Sequence, residues 1–497
     1  MTTQTRADGA RGSGMPGRAE VWLVATALLA TMVIPFLGKY QSGDVQESSP
    51  LVEALWIGFY CAAGLRLWQL KARARLLLAR SLPLLGFLAL MLASSLWSVE
   101  AATFKRAIEL IGTSAIGYYI VARFTLVEML DILVLTFGCA AVMSLAVIFG
   151  APGHGRMDFG GGAWTGLFQE KNNLGAAMAL AGLSLFVLLA ERAPRVAPAL
   201  AAVPQTPKPS VSRNPVALGG LALLLSPLTL FEALGRRRVV LLGTFALVLV
   251  LLAGSRSATS LGAYGAVSLM VVAAWACRSK RYGGIARILT ILGVLLTAAL
   301  LIGFGFTPST LFDALGRDTN LTGRTDFWPY LQEAIADRPW LGYGYDAFFG
   351  SPVGKDYLSY YVVEAGGWTP YHAHDSFLQI LLDSGYVGLV AFLLVLAVAL
   401  VRSLVYAWKR PERSALWPAA ILVYLFLGSF TETYFRSFNT IEWVVFVTAL
   451  LYPLLPAPAP PKPREAAPRP DLTRDMRRRS WSGPQSVRDR APLRETA

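Results

Sequence analysis

Long apolar runs separated by short polar connections make up most of this chain. A helix needs about 20 apolar residues to cross a bilayer, and runs near that length recur along its 497 residues, 55% of which are hydrophobic. This composition excludes an ordinary soluble protein and predicts an all-α polytopic membrane protein with about twelve transmembrane helices. The predicted spans are 21–38, 51–68, 82–97, 104–122, 129–149, 173–190, 239–254, 257–276, 287–305, 376–402, 415–431 and 439–455.

Basic residues follow the even-numbered spans, as at 71–75 after the second and 278–281 after the eighth. Because cytoplasmic connections carry the excess of Lys and Arg, both termini are predicted to be cytoplasmic. The net charge of +14 therefore follows from topology, and no nucleic-acid partner is expected. Residues 216–234 are apolar enough to span, but counting them would put the arginines at 236–238 outside. That segment is predicted to lie at the inner interface or to bend back at Pro227.

This topology divides the chain into five parts. They are a cytoplasmic N-terminal tail (1–20), helices one to nine (21–305) with a Pro-rich cytoplasmic linker and interfacial segment at 191–238, a large periplasmic loop (306–375), helices ten to twelve (376–455), and a disordered basic cytoplasmic tail (456–497). The loop holds nine acidic and four basic residues in an otherwise cationic chain, which favours its placement outside. It is predicted to contain short helices, one with Thr325 as its N-cap and Pro329 in its first turn.

Two of the three histidines lie together in Y-H-A-H-D-S-F-L-Q-I-L-L-D-S-G-Y-V-G-L, residues 371–389, where the tenth span opens. A metal site would need three or four ligands, and the side chains of His372, His374 and Asp375 diverge at the start of a helix. A neutral histidine is also suited to take a proton from a hydroxyl, or it can be a hydrogen-bonded structural residue at a helix start. The residues alone leave these three readings open.

Cationic residues are predicted at the same outer side of the membrane. Arg256 lies between the seventh and eighth spans, Arg324 precedes the loop helix, and Lys171 opens the sixth span. Guanidinium groups bind phosphate oxygens in a bidentate fork, so two arginines and a lysine facing one cavity suggest a phosphorylated ligand. The alternative is that each one reaches out to the lipid headgroups.

Several motifs together resemble the O-antigen ligase and polymerase superfamily of bacterial inner membranes. They are the S-R-S at 255–257, G-R-T-D-F-W-P followed by R-P-W-L-G-Y-G, and H-A-H-D-S-F-L-Q-I-L-L-D-S-G-Y-V-G-L. In the last, ten residues separate His374 from Gly385, as in the family. The resemblance runs from about residue 84 to 451 and includes S-S-L-W-S-V-E at 94–100. F-Q-E-K-N-N-L-G at 168–175 is closer to the exopolysaccharide polymerase branch, whereas Asp375 stands where the family usually has asparagine.

The resemblance implies a GT-C-like fold and metal-independent glycosyl transfer, without a cofactor, at the periplasmic face of the bacterial inner membrane. The donor would be a glycan on undecaprenyl diphosphate, the acceptor a lipid-linked glycan or lipid A core, and other polysaccharide-assembly proteins would be partners. By position, His374 would be the general base, and Arg256, Arg324 and Lys171 would bind the diphosphate. Supporting roles would fall to His372, Asp375, Asp326 and Asn172. A repeat-unit polymerase is the first hypothesis, a ligase the second, and a lipid-linked glycan flippase the third, although no internal repeat is visible.

Overall fold

The structure is a computed structural model that describes residues 17–39, 50–157, 162–191, 236–281, 283–285, 287–290, 292, 324–364, 369–435 and 438–456. All helices named below belong to the unit Met1–Leu455. In chain order they are α1 (Arg18–Lys39), α2 (Pro50–Gln69), α3 (Lys71–Arg80), α4 (Leu82–Ala93), α5 (Thr103–Arg123), α6 (Leu126–Gly150), α7 (Lys171–Ala190), α8 (Arg236–Ser255), α9 (Ala258–Cys277), α10 (Arg324–Asp337), α11 (Pro352–Glu364), α12 (Ser376–Lys409), α13 (Trp417–Gly428) and α14 (Ile441–Leu451).

Seven of the described helices are long and apolar enough to cross a membrane: α1, α2, α6, α7, α8, α9 and α12. The pair α3 and α4 is bent by 83° and adds an eighth if the two form one span. The apolar stretches Arg413–Gly428 and Ile441–Leu454 are shorter. The described part contains no β-strand beyond a single isolated bridge between Arg156 and Trp164. The all-α polytopic class is therefore confirmed, and the count of twelve spans stays a prediction.

Helix α7 lies at the centre of the bundle, where it packs against α6, α8 and α9. Its sequence is rich in alanine and glycine, and 78% of the residues in its most apolar stretch are buried. Small side chains let helix backbones approach closely in a membrane, where van der Waals packing drives association. The first turn of α7 is thereby held against its neighbours, which matters because that turn carries Lys171.

Arginine side chains cap helix ends at one end of the bundle. The last carbonyls of a helix have no partner within it, and a cation there also interacts favourably with the helix dipole. The donor and acceptor pairs are Arg73 to Ala122 (2.8 Å), Arg80 to Leu454 (2.6 Å), Arg402 to Arg80 (2.6 Å), Arg413 to Ala190 (3.0 Å) and Arg278 to Ala407. Helices α5, α7 and α12, which are predicted even-numbered spans, thus all end on this side. It is the side predicted to be cytoplasmic.

The described part of the predicted periplasmic loop forms a small helical layer with its own apolar core. Phe327 and Leu331 of α10 meet Leu358 of α11, and Tyr343 and Phe348 from the turns between these helices complete the cluster. Aromatic residues of the loop thus pack into a core of their own. Helix α10 begins at Arg324, one residue before the predicted cap, so Thr325 lies inside the helix rather than capping it. It ends at Asp337, two residues before Pro339.

Several predicted segments lie outside the described residues. They are the Pro-rich linker and the apolar segment 216–234, most of the ninth span 287–305, the first part of the loop up to residue 323, and the tail from residue 457.

Candidate functional site

The histidine segment opens α12 at the end of the bundle opposite the arginine-capped carbonyls. The His374 backbone is left-handed, with φ +53°, and its N–H donates to Nδ1 of His372 over 3.0 Å. The Thr433 hydroxyl lies 3.1 Å from the same nitrogen. Because a backbone N–H can only donate, Nδ1 of His372 is an acceptor and the neutral ring carries its proton on Nε2. Neither nitrogen of neutral His372 therefore offers a lone pair to a substrate, and this ring braces the main chain at His374.

Asp375 is the N-cap of α12. Its Oδ1 accepts hydrogen bonds from the N–H groups of Phe377 (2.7 Å) and Leu378 (2.8 Å). Burial raises the pKa of the Asp375 carboxyl, and these two N–H donors act in the opposite direction. Aspartate and asparagine cap helices about equally well. The departure from the family's usual asparagine therefore preserves the local backbone geometry.

The main chain between the two histidines is held from two further directions. Trp328 Nε1 of α10 donates to the Ala373 carbonyl over 3.0 Å. The Ala373 N–H donates to Gln379 Oε1 (3.1 Å), and Gln379 Nε2 donates to Asp383 Oδ1 (3.0 Å). Both side chains are buried. Asp383 is thus part of an internal network that runs along the first turns of α12.

The start of α7 lies beside the histidine segment, as its predicted role requires. The Tyr371 hydroxyl donates to the carboxylate of Glu170, the residue before α7. The Tyr371 ring stands edge-on to the His372 ring, with centroids 4.4 Å apart. Lys171 and Asn172 are the first two residues of α7, and both are half-buried.

Arg256 forms the tight turn between α8 and α9, with φ +51°. Ser257 caps α9, and a Cβ on Gly175 in the first turn of α7 would come within 2.8 Å of the Ser257 side chain. From the first turn of α9, Thr259 Oγ1 lies 2.7 Å from Thr431 Oγ1. The Arg256 turn is thus packed against the start of α7 and linked to the connection between α13 and α14.

Arg324 is the first residue of α10, and its side chain lies outside the described part. Helix α10 nevertheless reaches the histidine segment, since the Phe327 ring stands edge-on to the His374 ring with centroids 6.5 Å apart. Asp326 is exposed, and its charge adds to the burial that raises the pKa of Tyr361. The predicted support of the site by Asp326 stays a prediction.

Glu432 is a residue of this region that the sequence reasoning missed. It lies in the connection between α13 and α14 and is 4% exposed. Its Oε2 is 4.0 Å from Nδ1 of His374, which is 5% exposed and has no hydrogen-bond partner among the described residues. One signal in the sequence was the run T-E-T at 431–433, which puts a carboxylate between the last two apolar runs. Its proximity to His374, 58 residues away in the chain, is a property of the fold.

Gly385 breaks α12, with φ +60° and ψ −161°. The turn at 339–344 fills the break and pairs the backbone groups that the helix leaves open. The hydrogen bonds are Tyr343 N to Leu382 O (2.7 Å), Gly344 N to Asp383 O (3.0 Å), Tyr386 N to Pro339 O (2.7 Å) and Val387 N to Trp340 O (3.2 Å). Non-helical backbone in a membrane protein persists only where protein or water satisfies it. His374 and Gly385, whose spacing is that of the family, therefore mark the start of α12 and the break within it.

The structure brings together segments that carry Lys171, Arg256, Arg324 and His374. Four non-glycine residues of the described part have positive φ, and Arg256 and His374 are two of them. Such conformations are costly and cluster at functional sites. Among the described residues there is no group of three or more His, Cys, Asp or Glu side chains that could hold a metal ion.

Fold and site together define a multi-pass helical membrane protein with a buried polar centre at one end of its bundle. Comparison with known proteins narrows this class. Residues 239–393 match the family described as O-antigen ligase. Exopolysaccharide production protein ExoQ of Rhizobium meliloti (strain 1021) is 29% identical over 128 residues, which cover 24% of this chain and 28% of that protein.

These matches confirm the resemblance to the O-antigen ligase and polymerase superfamily. The family match extends from α8 into α12 and includes Arg256, Arg324, His374 and Gly385. Lys171 and Glu432 lie outside it.

Proposed function

We propose that this protein is a glycosyltransferase that polymerises undecaprenyl-diphosphate-linked oligosaccharide repeat units of an exopolysaccharide or O-antigen. The reaction would take place at the periplasmic face of the bacterial inner membrane, without a metal ion or cofactor. The observation that carries the proposal is the convergence of segments with three cationic residues on a buried histidine. The match to an exopolysaccharide production protein favours a polymer-forming reaction.

His374 is the general base of the proposed reaction. Its imidazole takes the proton of an acceptor hydroxyl, the acceptor oxygen bonds to the anomeric carbon, and the bond from that carbon to the diphosphate oxygen breaks. A single displacement of this kind inverts the anomeric configuration. His372 is excluded as the base because its Nδ1 accepts the His374 N–H. Diphosphate is a good leaving group, so positioning, proton removal and charge stabilisation are the main tasks left to the protein.

The diphosphate is assigned to Arg256, Arg324 and Lys171. Arginine binds phosphate oxygens in a bidentate fork, and lysine adds a point charge. Helices α7, α9 and α12 also begin at this end. A helix N-terminus carries a partial positive charge and open N–H donors, so these helix starts reinforce a preference for an anionic ligand.

The site assignment is tested by His374→Ala, Arg256→Ala and Arg324→Ala, with His154→Ala as the matched control. His154 is exposed on a short helical turn that follows α6. In a strain deleted for the gene, each site variant should reach the membrane at normal levels yet restore no polymer, whereas His154→Ala should restore it fully. Full polymer production by His374→Ala would refute the general-base role.

A ligase is the second candidate, because the matching family is described as O-antigen ligase. The deletion strain separates the two reactions through the glycan that accumulates. Single repeat units left on the lipid carrier or acceptor would indicate a polymerase. Full-length polymer stranded on the carrier would indicate a ligase.

A further inference from the structure

We propose that Glu432 is a positioning residue for His374. Its carboxylate accepts the Nδ1–H of the imidazole, so that the lone pair of Nε2 faces the acceptor hydroxyl. The inference rests on the proposed function and adds to it a residue outside the part of the chain that matches the family. It depends on how the Glu432 backbone is fixed, on the state of the His374 ring, and on the charge that the reaction creates.

The Glu432 backbone is fixed by the helix that carries His374. Ser376 Oγ donates to the Glu432 carbonyl over 2.8 Å, and Ser376 Oγ also accepts the Tyr434 N–H over 3.0 Å. The Ser376 N–H donates to the Ser429 carbonyl over 2.8 Å. The connection between α13 and α14 is thus bonded to the first residue of α12, two positions after His374.

Both neighbours of Glu432 are also held by side chains. The Thr431 hydroxyl pairs with Thr259 of α9, and the Thr433 hydroxyl pairs with Nδ1 of His372. The carboxylate therefore projects from a backbone that is fixed on each side. Its distance to His374 is a built feature of the fold rather than the chance approach of a surface side chain.

The His374 ring has one buried nitrogen that faces this carboxylate. Nδ1 lies 4.0 Å from Glu432 Oε2 and has no hydrogen-bond partner among the described residues. A neutral imidazole carries its proton on either nitrogen, and the partner of one nitrogen decides which tautomer forms. A carboxylate beside Nδ1 favours the proton there. An approach of about 1 Å closes the hydrogen bond, and such bonds are commonly long before substrate binds.

The reaction creates a positive charge that Glu432 is placed to balance. Nε2 takes the acceptor proton as the new carbon–oxygen bond forms, and the electron pair of the broken bond leaves with the diphosphate. The ring is then an imidazolium whose Nδ1–H faces the carboxylate. A buried imidazolium without a partner would be costly, whereas a paired one forms readily. Glu432 thus acts through His374, and its removal should slow turnover more than it weakens donor binding.

The test compares Glu432→Gln and Glu432→Asp in the full-length protein. The substrate is the lipid-linked fraction extracted from the deletion strain, and kcat and KM are measured separately. A glutamine keeps the shape but loses the charge, and general-base contributions are about 10²- to 10⁴-fold. We therefore expect kcat of Glu432→Gln to fall at least tenfold with KM nearly unchanged. Glu432→Asp, which keeps the carboxylate, should lie between that variant and the wild type.

Two further variants separate positioning from a structural role. Ser184→Ala removes the acceptor of the Trp417 Nε1–H, a buried hydrogen bond between α7 and α13, and it should lower stability without a matching fall in kcat. The double variant His374→Ala, Glu432→Gln should be no slower than His374→Ala alone, because residues that act as a unit are not additive. If Glu432→Gln fails to insert into the membrane, the proposal is tested by the kcat of Glu432→Asp instead. A kcat of Glu432→Asp equal to that of the wild type would count against the proposal.

The outcomes distinguish this inference from the proposed function. Wild-type kcat in Glu432→Gln together with an inactive His374→Ala would overturn the role of Glu432 and leave the general base intact. Wild-type activity in His374→Ala would instead overturn the general base on which the inference rests.

Discussion

The break in α12 gives a sharp structural prediction, because Gly385→Ala perturbs it directly. The backbone at Gly385 has φ +60° and ψ −161°, a combination that is essentially restricted to glycine. A Cβ there would lie 2.5 Å from the Pro339 carbonyl oxygen and closer still to the carbonyl of Trp340. These are backbone atoms, so no side-chain rotation relieves the clash. Either α12 or the turn at 339–344 must move.

The size of the effect follows from these two alternatives. Keeping the native backbone with alanine costs about 1–3 kcal/mol in strain, before the clash with the turn is counted. Releasing the turn breaks the four backbone hydrogen bonds across the break. Each contributes about 0.5–1.5 kcal/mol net, and a buried group left without a partner costs about 1–3 kcal/mol. Both routes cost several kcal/mol once the clash is included, which is a large part of the stability of an ordinary fold.

The measurement is the thermal unfolding midpoint of the purified protein in detergent, together with polymer formation in the deletion strain. Gly262→Ala is the matched control, since Gly262 lies within α9 and a Cβ at this position would have no other atom within 4 Å. Alanine in a helix interior is favoured over glycine by about 0.5–1 kcal/mol. The control should therefore unfold at the same temperature as the wild type or at a higher one. Gly385→Ala should unfold at a clearly lower temperature and lose most activity. Equal behaviour of the two variants would refute the role of the break.

Two further variants test the surroundings of His374. Asp375→Asn should keep the α12 cap and retain activity, whereas Asp375→Ala should lower the free energy of unfolding by about 1 kcal/mol; equal unfolding midpoints would contradict the cap. Gln379→Leu removes the acceptor of the Ala373 N–H and the donor to Asp383. It should lower stability by about 1–3 kcal/mol and reduce kcat, and unchanged thermal unfolding and activity would show that the network is dispensable.

Apolar runs and basic clusters were enough to predict the helical class and the approximate ends of several helices. The tenth span was predicted to open at residue 376, and α12 begins at Ser376. The sixth was predicted from residue 173, and α7 begins at Lys171. These limits are set by local properties, namely the length of an apolar run and the charges beside it. A single sequence displays such properties directly.

Properties that arise between distant segments were not predictable in the same way. The break at Gly385 lies inside a continuous apolar run, and the turn that satisfies it comes from about 40 residues earlier in the chain. Glu432 stands between two apolar runs, where a solvated loop residue was as reasonable as a buried one. The role of Gly385 followed only once the partner backbone was located. The position of Glu432 likewise needed the packing of α13 against α12.

The irregular features around His374 have a common consequence for catalysis. A left-handed backbone at a residue with a side chain persists only where its surroundings hold it in place. At His374 the restraints come from the His372 ring, the Asp375 cap and the Trp328 and Gln379 hydrogen bonds to Ala373. The break at Gly385 anchors the same helix from the other side. As the proposed general base, His374 held in this way has little freedom left to lose when an acceptor binds, so less of the binding energy is spent on ordering the site.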